Sequence, residues 1–439
     1  MNRYCVLAYI ILIIIVMAYG VARINTGIQD NTVRLKILFG RESSEPGVAS
    51  LKITASYEIK VYRDGELIAE RHKENDPITI QWYRMVANMM FGFIRSGALT
   101  WYDTGYNART WVDTEQDYVS GDKMYVGSYN PVMYVVLGSG SGTPSSYDYK
   151  MFSEVTKAVP DMTVTDDSVN SQYIVTYTKT FTIQQDFTLT EVGLELRLDI
   201  DTSGGRTLVY VLVAHDSVSP SISLVEGDSV AITYEITIPY TTTGPFTRWF
   251  YNALINYWLG YTGTTGYPNN QPRGSFLTLK AESSNTGVID TALDYFGYDT
   301  SNTYLPKDNV AGEYFYIEIG NGSSTASPLF ETYTLANRLQ RLSTTDSQAI
   351  AEVNETGSFQ IHYIVSFTFT SSASITEIGV SYYTDRGSGP NYISKSGSGL
   401  NGNYNGDYYL WLYWTLPSPI NIDAGDGLRV EVTVEIPYT

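Results

Sequence analysis

Strict alternation of apolar and polar residues recurs along the chain and predicts half-buried β-strands. The clearest stretches are YIVTYTKTFTI (Tyr173–Ile183), SVAITYEITI (Ser229–Ile238) and LRVEVTVEI (Leu428–Ile436). A period of two places alternate side chains on one face of a sheet. Because turn residues separate these stretches, the pattern predicts antiparallel sheets that each bury one face.

Two apolar stretches have helical spacing instead. In QWYRMVANMMFGF (Gln81–Phe93), large apolar residues recur at i, i+3, i+7 and i+11 from Trp82, which places them on one helical face. Asn75 or Asp76, just before a proline, is the predicted N-cap. The stretch RWFYNALINYWLG (Arg248–Gly260) resembles the first and predicts a second short helix.

The chain contains five segments that occur twice, in the same order. The pairs are Gln81–Phe93 with Arg248–Gly260, Met133–Ser146 with Phe315–Pro328, Tyr173–Ile183 with Tyr363–Ala373, Phe187–Leu196 with Ala373–Tyr382, and Ser223–Thr241 with Asn421–Thr439. The last pair aligns at one constant offset, and both of its members end on Ile-Pro-Tyr-Thr. The pattern indicates an internal duplication.

The duplication predicts an all-β protein with two tandem antiparallel β-sandwich domains, jelly-roll-like, each opened by a short helix. The expected divisions are residues 1–25 as a signal or anchor, 26–240 as the first sandwich, 241–245 as a linker and 246–439 as the second sandwich. Only the first copy carries the run Ala55–Glu70, in which Asp64-Gly65 between two alternating stretches predicts a β-hairpin.

The N-terminal segment Cys5–Ala22 is uncharged and follows Arg3. At about 1.5 Å per residue it is long enough for a bilayer's apolar thickness. It is interpreted either as a signal peptide cut after Gly20-Val-Ala22 or as a retained transmembrane helix. Either alternative exports the remainder of the chain.

Composition indicates a folded chain and argues against one class of partner. The 439 residues are 43% hydrophobic and 17% charged, which is typical of a folded chain, and the formal charge of −18 argues against nucleic acid as a partner. Cys5 is the single cysteine, so no disulfide is expected within the chain.

Recurrent glycine and carboxylate motifs are interpreted as structural turns. These residues are Gly138, Gly140, Gly320 and Gly322 after one strand, Glu191, Gly193, Glu377 and Gly379 in the T-E-[VI]-G motif, and Gly227, Asp228, Gly425 and Asp426 before the last strand of each copy. Gly138, Gly140, Gly320 and Gly322 are expected to turn the chain with positive φ. The two glutamates are expected to accept backbone N–H bonds of the turn. The LGSGSG run (Leu137–Gly142) does not match a nucleotide-binding glycine pattern, so no phosphate site is predicted there.

The order of these blocks resembles the β-sandwich modules of tailed-phage tail fibres and related virion surface proteins. An apolar anchor followed by stacked sandwiches also resembles turret and spike proteins of archaeal viruses, with archaeal surface filament subunits as a further similar class. The resemblance implies a non-enzymatic structural role. It implies no catalytic residue.

The sequence contains none of the common catalytic or cofactor-binding motifs. The three histidines, His72, His215 and His362, have no metal-site or triad spacing, and no catalytic residue, cofactor or metal is predicted. A calcium site at Asp199 and Asp201 stays open, although the twelve-residue loop pattern is absent.

Two loop-like stretches are rich in tyrosine and tryptophan, a composition that suits protein interfaces, sugar stacking or the ends of a core. The candidate interface or recognition residues are Trp101, Tyr102, Tyr106, Trp111, Tyr404, Tyr408, Tyr409, Trp411 and Trp414. Asn321 and Asn354 lie in glycosylation sequons.

Three functions are therefore compared. The first is a membrane-anchored virion spike, turret or fibre component that acts in assembly and host attachment. The second is an extracellular filament subunit or adhesin that assembles by strand addition, for which TVRLKILFG (Thr32–Gly40) is the candidate strand. The third is a secreted carbohydrate-active enzyme with clustered carboxylates. The expected partners are further copies of the chain, other surface or capsid proteins, a membrane through Cys5–Ala22, and a glycan or host receptor.

Overall fold

The structure is a computed structural model, and it describes part of the chain. The described residues are 32–39, 47–90, 101–109, 123–124, 132–202, 205–242, 245–259, 279–280, 286–289, 315–323, 331–332, 334–343, 349–353, 358–384, 393–394 and 407–437.

Two helices and 24 strands form the described part. The helices are α1 (Ile80–Met90) and α2 (Arg248–Trp258). The strands before α2 are β1 (Thr32–Phe39), β2 (Val48–Leu51), β3 (Thr54–Arg63), β4 (Glu66–Pro77), β5 (Trp101–Tyr102), β6 (Ala108–Arg109), β7 (Lys123–Met124), β8 (Val132–Gly138), β9 (Glu154–Ala158), β10 (Asp161–Asp167), β11 (Gln172–Thr182), β12 (Phe187–Thr202), β13 (Gly205–Leu224) and β14 (Ser229–Pro239). The strands after α2 are β15 (Leu279–Lys280), β16 (Thr286–Ile289), β17 (Phe315–Gly320), β18 (Arg338–Ser343), β19 (Ala349–Val353), β20 (Ser358–Thr368), β21 (Ala373–Thr384), β22 (Ile393–Ser394), β23 (Asp407–Ile422) and β24 (Gly427–Pro437).

Four large sheets confirm the all-β fold and its sandwich-like architecture. Strands from the first half form one five-stranded sheet in the order β10-β11-β14-β3-β4. They also form a second five-stranded sheet, which has the order β9-β8-β12-β13 and includes β7 beside β12. The other two sheets have the orders β19-β20-β24-β1-β2 and β18-β17-β21-β23. Small sheets join β15, β16 and β22, and β5 with β6, while β7 pairs with β12.

The alternating pattern explains which faces are buried. In β14 every second residue from Val230 to Ile238 is buried, and in β24 Val430, Val432 and Val434 are fully buried. These faces belong to one continuous hydrophobic cluster. Burial of a Val, Leu or Ile side chain stabilises a fold by about 1.5–3 kcal/mol.

Both helices begin at a threonine that is bonded to a strand. The Thr79 N–H donates to Val213 O (2.8 Å), and the Thr247 N–H donates to Trp411 O (2.9 Å). In α2, Thr247 is the N-cap, and its hydroxyl oxygen accepts from Phe250 N. The expectation that Asn75 or Asp76 caps α1 is wrong, because both residues continue β4, where a bulge extends the strand up to Pro77.

The predicted hairpin is formed by β3 and β4. Asp64 and Gly65 turn the chain with φ of 51° and 84°, the left-handed values that a two-residue turn requires. The two alternating stretches and the Asp64-Gly65 turn between them therefore form the hairpin together.

Part of the sequence-based expectations falls outside the described residues. These are the segment Cys5–Ala22 and the residues Trp111, Tyr404 and Asn354. Within the residues that the structure does describe, no helix is both long enough and apolar enough to span a bilayer.

Candidate functional site

The N-terminal strand β1 lies in a slot between β24 and β2, and we call this position the β1 slot. β1 pairs in parallel with β24 from Thr32↔Arg429 to Leu38↔Glu435, and in parallel with β2 from Lys36↔Val48 to Phe39↔Leu51. The equivalent position in the first five-stranded sheet is filled by β3, which pairs antiparallel with β14. The β1 slot is therefore completed by a strand almost the whole chain length away.

Side-chain patterning fits β1 to the slot. Leu35 and Ile37 are buried opposite Val432 and Val434. Parallel strands with matched apolar residues on the core side are typical of a specified register. The sheet therefore gains core contacts from β1 as well as ladder hydrogen bonds.

The outward face of β1 is basic and meets an acidic strand. Arg34 Nε lies 2.9 Å from Glu431 Oε2, and Lys36 Nζ lies 2.6 Å from Glu435 Oε2. The Glu435 side chain is 4% exposed, so its charge depends on the lysine and on Gln360, whose Nε2 donates to it at 2.7 Å. Charge complementarity makes the slot selective for a basic strand.

The T-E-[VI]-G glutamates clamp turns at the ends of the sheets β9-β8-β12-β13 and β18-β17-β21-β23. Glu191 is buried and accepts backbone N–H bonds from Gly140 (2.8 Å), Phe152 (3.0 Å) and Ser153 (2.7 Å). Its Oε2 also lies 2.7 Å from His215 Nε2, and His215 Nδ1 lies 2.6 Å from Asp148 Oδ2. One carboxylate thus joins two loop segments to β13.

Glu377 has the corresponding role in the second half. It accepts N–H bonds from Gly322 (3.2 Å), Ala336 (3.1 Å) and Asn337 (2.9 Å), and Tyr413 donates its hydroxyl at 3.1 Å. Tyr413 therefore replaces the histidine as the fourth partner. The two clamps share the carboxylate and the backbone donors but differ in the side-chain donor.

The glycines beside the clamps are required for space, and the expected positive φ is wrong for them. None of Gly138, Gly140, Gly320 and Gly322 is among the positive-φ glycines of the described residues. A Cβ on Gly138 would lie 2.5 Å from Glu191 Oε1, and a Cβ on Gly322 would lie 2.7 Å from Asn337 N. The carboxylate approaches the backbone at these positions, so a side chain does not fit.

Within the same motif, Gly193 and Gly379 are also sterically restricted. A Cβ on Gly193 would lie 2.6 Å from Ala214 O, and one on Gly379 would lie 2.7 Å from Leu410 Cδ1. The T-E-[VI]-G motif therefore combines a clamping carboxylate with close strand packing.

The Gly-Asp turns before the last strands do use positive φ. Gly227 has φ of 92° and Gly425 has φ of 94°. Asp228 is buried and is held by Arg63 through two bonds of 2.8 Å, whereas Asp426 is exposed. The difference arises because Arg63 is the last residue of β3, which pairs with β14. In the second half the strand that pairs with β24 at the corresponding position is β1.

The clamp lowers the pKa of the Glu191 carboxyl. Burial opposes ionisation, but the bond with His215 and the three backbone donors outweigh it and hold the pKa of Glu191 at about 2, below its ordinary 4.5. A depressed folded-state pKa stabilises the fold above the unfolded value, and this stability is lost as pH falls.

We therefore expect the free energy of unfolding to decrease between about pH 4.5 and pH 2. Urea unfolding at a series of pH values measures it. The variant Glu191→Gln should show a shallower decrease across this window, and an identical decrease would contradict the assignment to Glu191.

A second buried polar cluster connects the two sheets of the first half. Asp216 of β13 is fully buried and accepts a hydrogen bond from the Tyr234 hydroxyl, and Lys73 Nζ lies 3.1 Å from Asp216 Oδ1. Lys73 Nζ also lies 2.6 Å from Asp76 Oδ1. Burial, followed by the neighbouring carboxyl of Asp76, raises the pKa of Asp216 above its ordinary value. The lysine, two carboxyls and tyrosine form one group, which we call the Lys73 cluster.

Sequence analysis missed His215, Asp148 and the Lys73 cluster. A signal was present, since Asp216 ends the apolar run VYVLVAHD, where a polar residue at a buried position needs a partner. Its partner Lys73 lies on a strand 143 residues away in sequence, and no local pattern joins the two.

The predicted recognition surface is only partly on the surface. Trp101, Trp411 and Trp414 are buried, so the expectation that they contact a partner is wrong, and they fill the core because of their large apolar area. Tyr106 is 62% exposed and stacks on Tyr102 with ring centroids 5.0 Å apart.

Three other residues of the predicted recognition surface and glycosylation sites lie in the described part of the chain. Tyr408 and Tyr409 lie on β23, and Asn321 of the first sequon is exposed. Asn337 Nδ2 donates to Asn321 Oδ1 at 2.5 Å, so the side chain is engaged at the clamped turn. Among the described residues, no three His, Cys, Asp or Glu side chains are grouped so as to hold a metal ion.

Comparisons with known proteins give no family. No protein-family model matches the chain, and no curated protein matches it. Among solved structures, the chain has a weak likeness to a 2'-deoxycytidine 5'-triphosphate deaminase from Agrobacterium tumefaciens, at 10% identity and a TM-score of 0.10, covering 82% of this chain and 95% of the other. At that TM-score the likeness supports no inference, so function must be argued from the described geometry.

Proposed function

We propose that the chain is a non-enzymatic structural protein, exported and assembled on a surface, whose copies join head to tail by donating β1. In an assembly, β1 of one copy occupies the β1 slot of the next. The product is an extracellular filament, because a heterologous contact that does not close produces an open chain of subunits.

The observation that supports this proposal is the parallel pairing of β1 with both β24 and β2. Residues 40–47 alone separate β1 from β2. Adjacent parallel strands normally need a crossover of about a dozen residues or more. A strand supplied by a neighbouring copy is free of this restriction.

The two halves also suggest which end accepts and which end donates. We propose that the halves are tandem duplicated, jelly-roll-like domains with matching strand orders. The first completes its five-stranded sheet with its own β3 and β4, and the second relies on β1. Each copy then has one donor strand and one acceptor slot, which sets a direction along the filament.

A membrane-anchored spike, turret or fibre component of a virion is the competing proposal, and it rests on Cys5–Ala22. In that case β1 completes its own chain or a closed ring, and the assembly acts in host attachment. The exposed Tyr106, which stacks on the half-buried Tyr102, supports a glycan or receptor contact, because aromatic faces stack on sugars.

Negative-stain imaging of the full chain, combined with intact mass, distinguishes these proposals. Strand donation predicts fibres that disappear when residues 32–39 are deleted. The fibres should reappear when a second copy of the chain, to which a synthetic TVRLKILF peptide has been linked, is added. Rosettes or closed rings of full mass that survive the deletion would overturn strand donation and favour the spike.

A further inference from the structure

The Lys73 cluster holds an amine and a carboxyl at hydrogen-bonding distance between two sheets. Lys73 lies on β4, at the edge of one sheet, and Asp216 lies on β13, at the edge of the other. Nζ of Lys73 is 3.1 Å from Oδ1 of Asp216 and 2.6 Å from Oδ1 of Asp76. From these contacts we propose that Lys73 and Asp216 form an intramolecular isopeptide bond, with Asp76 as the acid–base catalyst.

A β-bulge places the catalyst beside the amine. Residues three apart on a regular strand point to opposite faces. In β4 the register shifts between Lys73 and Asp76, and Asn75 has φ of 62°. The bulge therefore turns Asp76 back to the side of Lys73, and bulges of this kind often re-aim a side chain at a reactive site.

The protonation state of the cluster suits amide formation. Asp216 is fully buried, and Asp76 Oδ2 is a buried atom that has no hydrogen-bond partner in the described part of the chain when both carboxyls are ionised. A proton held between the two carboxyls satisfies that atom. Asp216 is then a carboxylic acid, which is the form that an amine attacks.

Each group has a defined part in the reaction. Asp76 takes a proton from the Lys73 ammonium, and Nζ attacks Cγ of Asp216. The Tyr234 hydroxyl donates to Oδ2, which carries the developing negative charge and becomes the amide oxygen. The Cγ–Oδ1 bond then breaks, and Oδ1, which already carries the acid proton, leaves as water with the proton returned by Asp76. Asp76, again a carboxylate, takes the remaining extra proton from Nζ, which leaves a neutral amide.

The step balances without an added reagent. One ammonium and one carboxylic acid give one amide, one water and one proton, which stays on Asp76, and nothing is oxidised or reduced. The Lys73 side chain is 40% exposed, so the water has an exit. The bond would join β4 to β13 covalently in a chain whose single cysteine is Cys5, and this inference does not depend on strand donation.

The second half provides an internal comparison. In the pairing of β12 with β13, Asp216 stands opposite Val192, and the corresponding residue opposite Ile378 is Trp414. The position of Tyr234 in β14 corresponds to Val432 in β24. Reactive groups at these positions are thus confined to the first half, so one bond per chain is expected.

Intact-mass spectrometry of the full chain under denaturing conditions tests the proposal. The mass of the wild type, compared with that of Lys73→Arg, should be lower by one water beyond the difference between the two side chains. Tandem mass spectrometry of a digest should find the Lys73 peptide joined to the Asp216 peptide. Asp76→Asn should lack the bond while its circular dichroism stays that of the wild type.

Lys60→Arg is the matched control, because Lys60 also lies beside two carboxylates, Glu58 and Glu70, on the surface of the same hairpin. It should keep the loss of water and the joined peptide. A wild-type mass without the loss would overturn the proposal. So would a loss of water that persists in Lys73→Arg, since it would then arise elsewhere, for example at an aspartyl succinimide.

Discussion

Replacing Ile37 with Asp is expected to prevent assembly and to lower the free energy of unfolding of the acceptor sheet by about 3–5 kcal/mol. Ile37 is fully buried at the centre of β1, opposite Val434. Ile37 belongs to the hydrophobic core cluster, so a carboxylate at this position would lose its hydration among apolar side chains. Sedimentation velocity measures assembly, and chemical denaturation measures stability.

Arg34→Ala is the matched control on the same strand. The Arg34 side chain is 71% exposed, so loss of its ion pair with Glu431 should change stability by less than about 1 kcal/mol. Fibres formed normally by Ile37→Asp would show that β1 is not the joining element. A large loss of stability in Arg34→Ala would show that charge pairing has been underestimated.

Replacing Glu191 with Ala should destabilise the first half by about 3–5 kcal/mol, because buried partners of a charged group are left unpaired. Three backbone N–H groups and His215 lose their acceptor together. The segment Gly138–Ser153 should open first, and hydrogen exchange at Gly140, Phe152 and Ser153 measures this directly.

Glu226→Ala is the corresponding control, since Glu226 is an exposed glutamate at another turn of the same half. A change within about 0.5 kcal/mol is expected there. Equal effects of the two replacements would contradict the clamp, as would unchanged exchange at the three amides in Glu191→Ala.

Local pattern was sufficient for much of the fold. Alternation located β11, β14 and β24, and Asp64-Gly65 located the hairpin, because each signal acts over a few residues. The start of α1 was misplaced, because a bulge extends β4 and Thr79 bonds to β13. Such tertiary contacts are not encoded in a window of neighbouring residues.

The candidate site was less accessible from sequence. Repetition of T-E-[VI]-G pointed to a role for Glu191 and Glu377 at turns, but their donors come from loops some 38 to 55 residues away. Parallel pairing of β1 with β24 joins residues nearly 400 positions apart. Aromatic richness was misleading at Trp101 and Trp411, because a large apolar ring fills a core as readily as it forms an interface.

A disulfide across the β1 slot tests strand donation most directly. Lys36 and Thr433 are register partners on neighbouring strands, whose backbones lie about 4.8 Å apart, within the range that a disulfide spans. In a Cys5→Ala chain, the double variant Lys36→Cys, Thr433→Cys is assembled, oxidised and separated on a denaturing gel without reductant. Strand donation predicts a ladder of dimers, trimers and longer species that collapses on reduction. Monomers closed by an intrachain bond would contradict it.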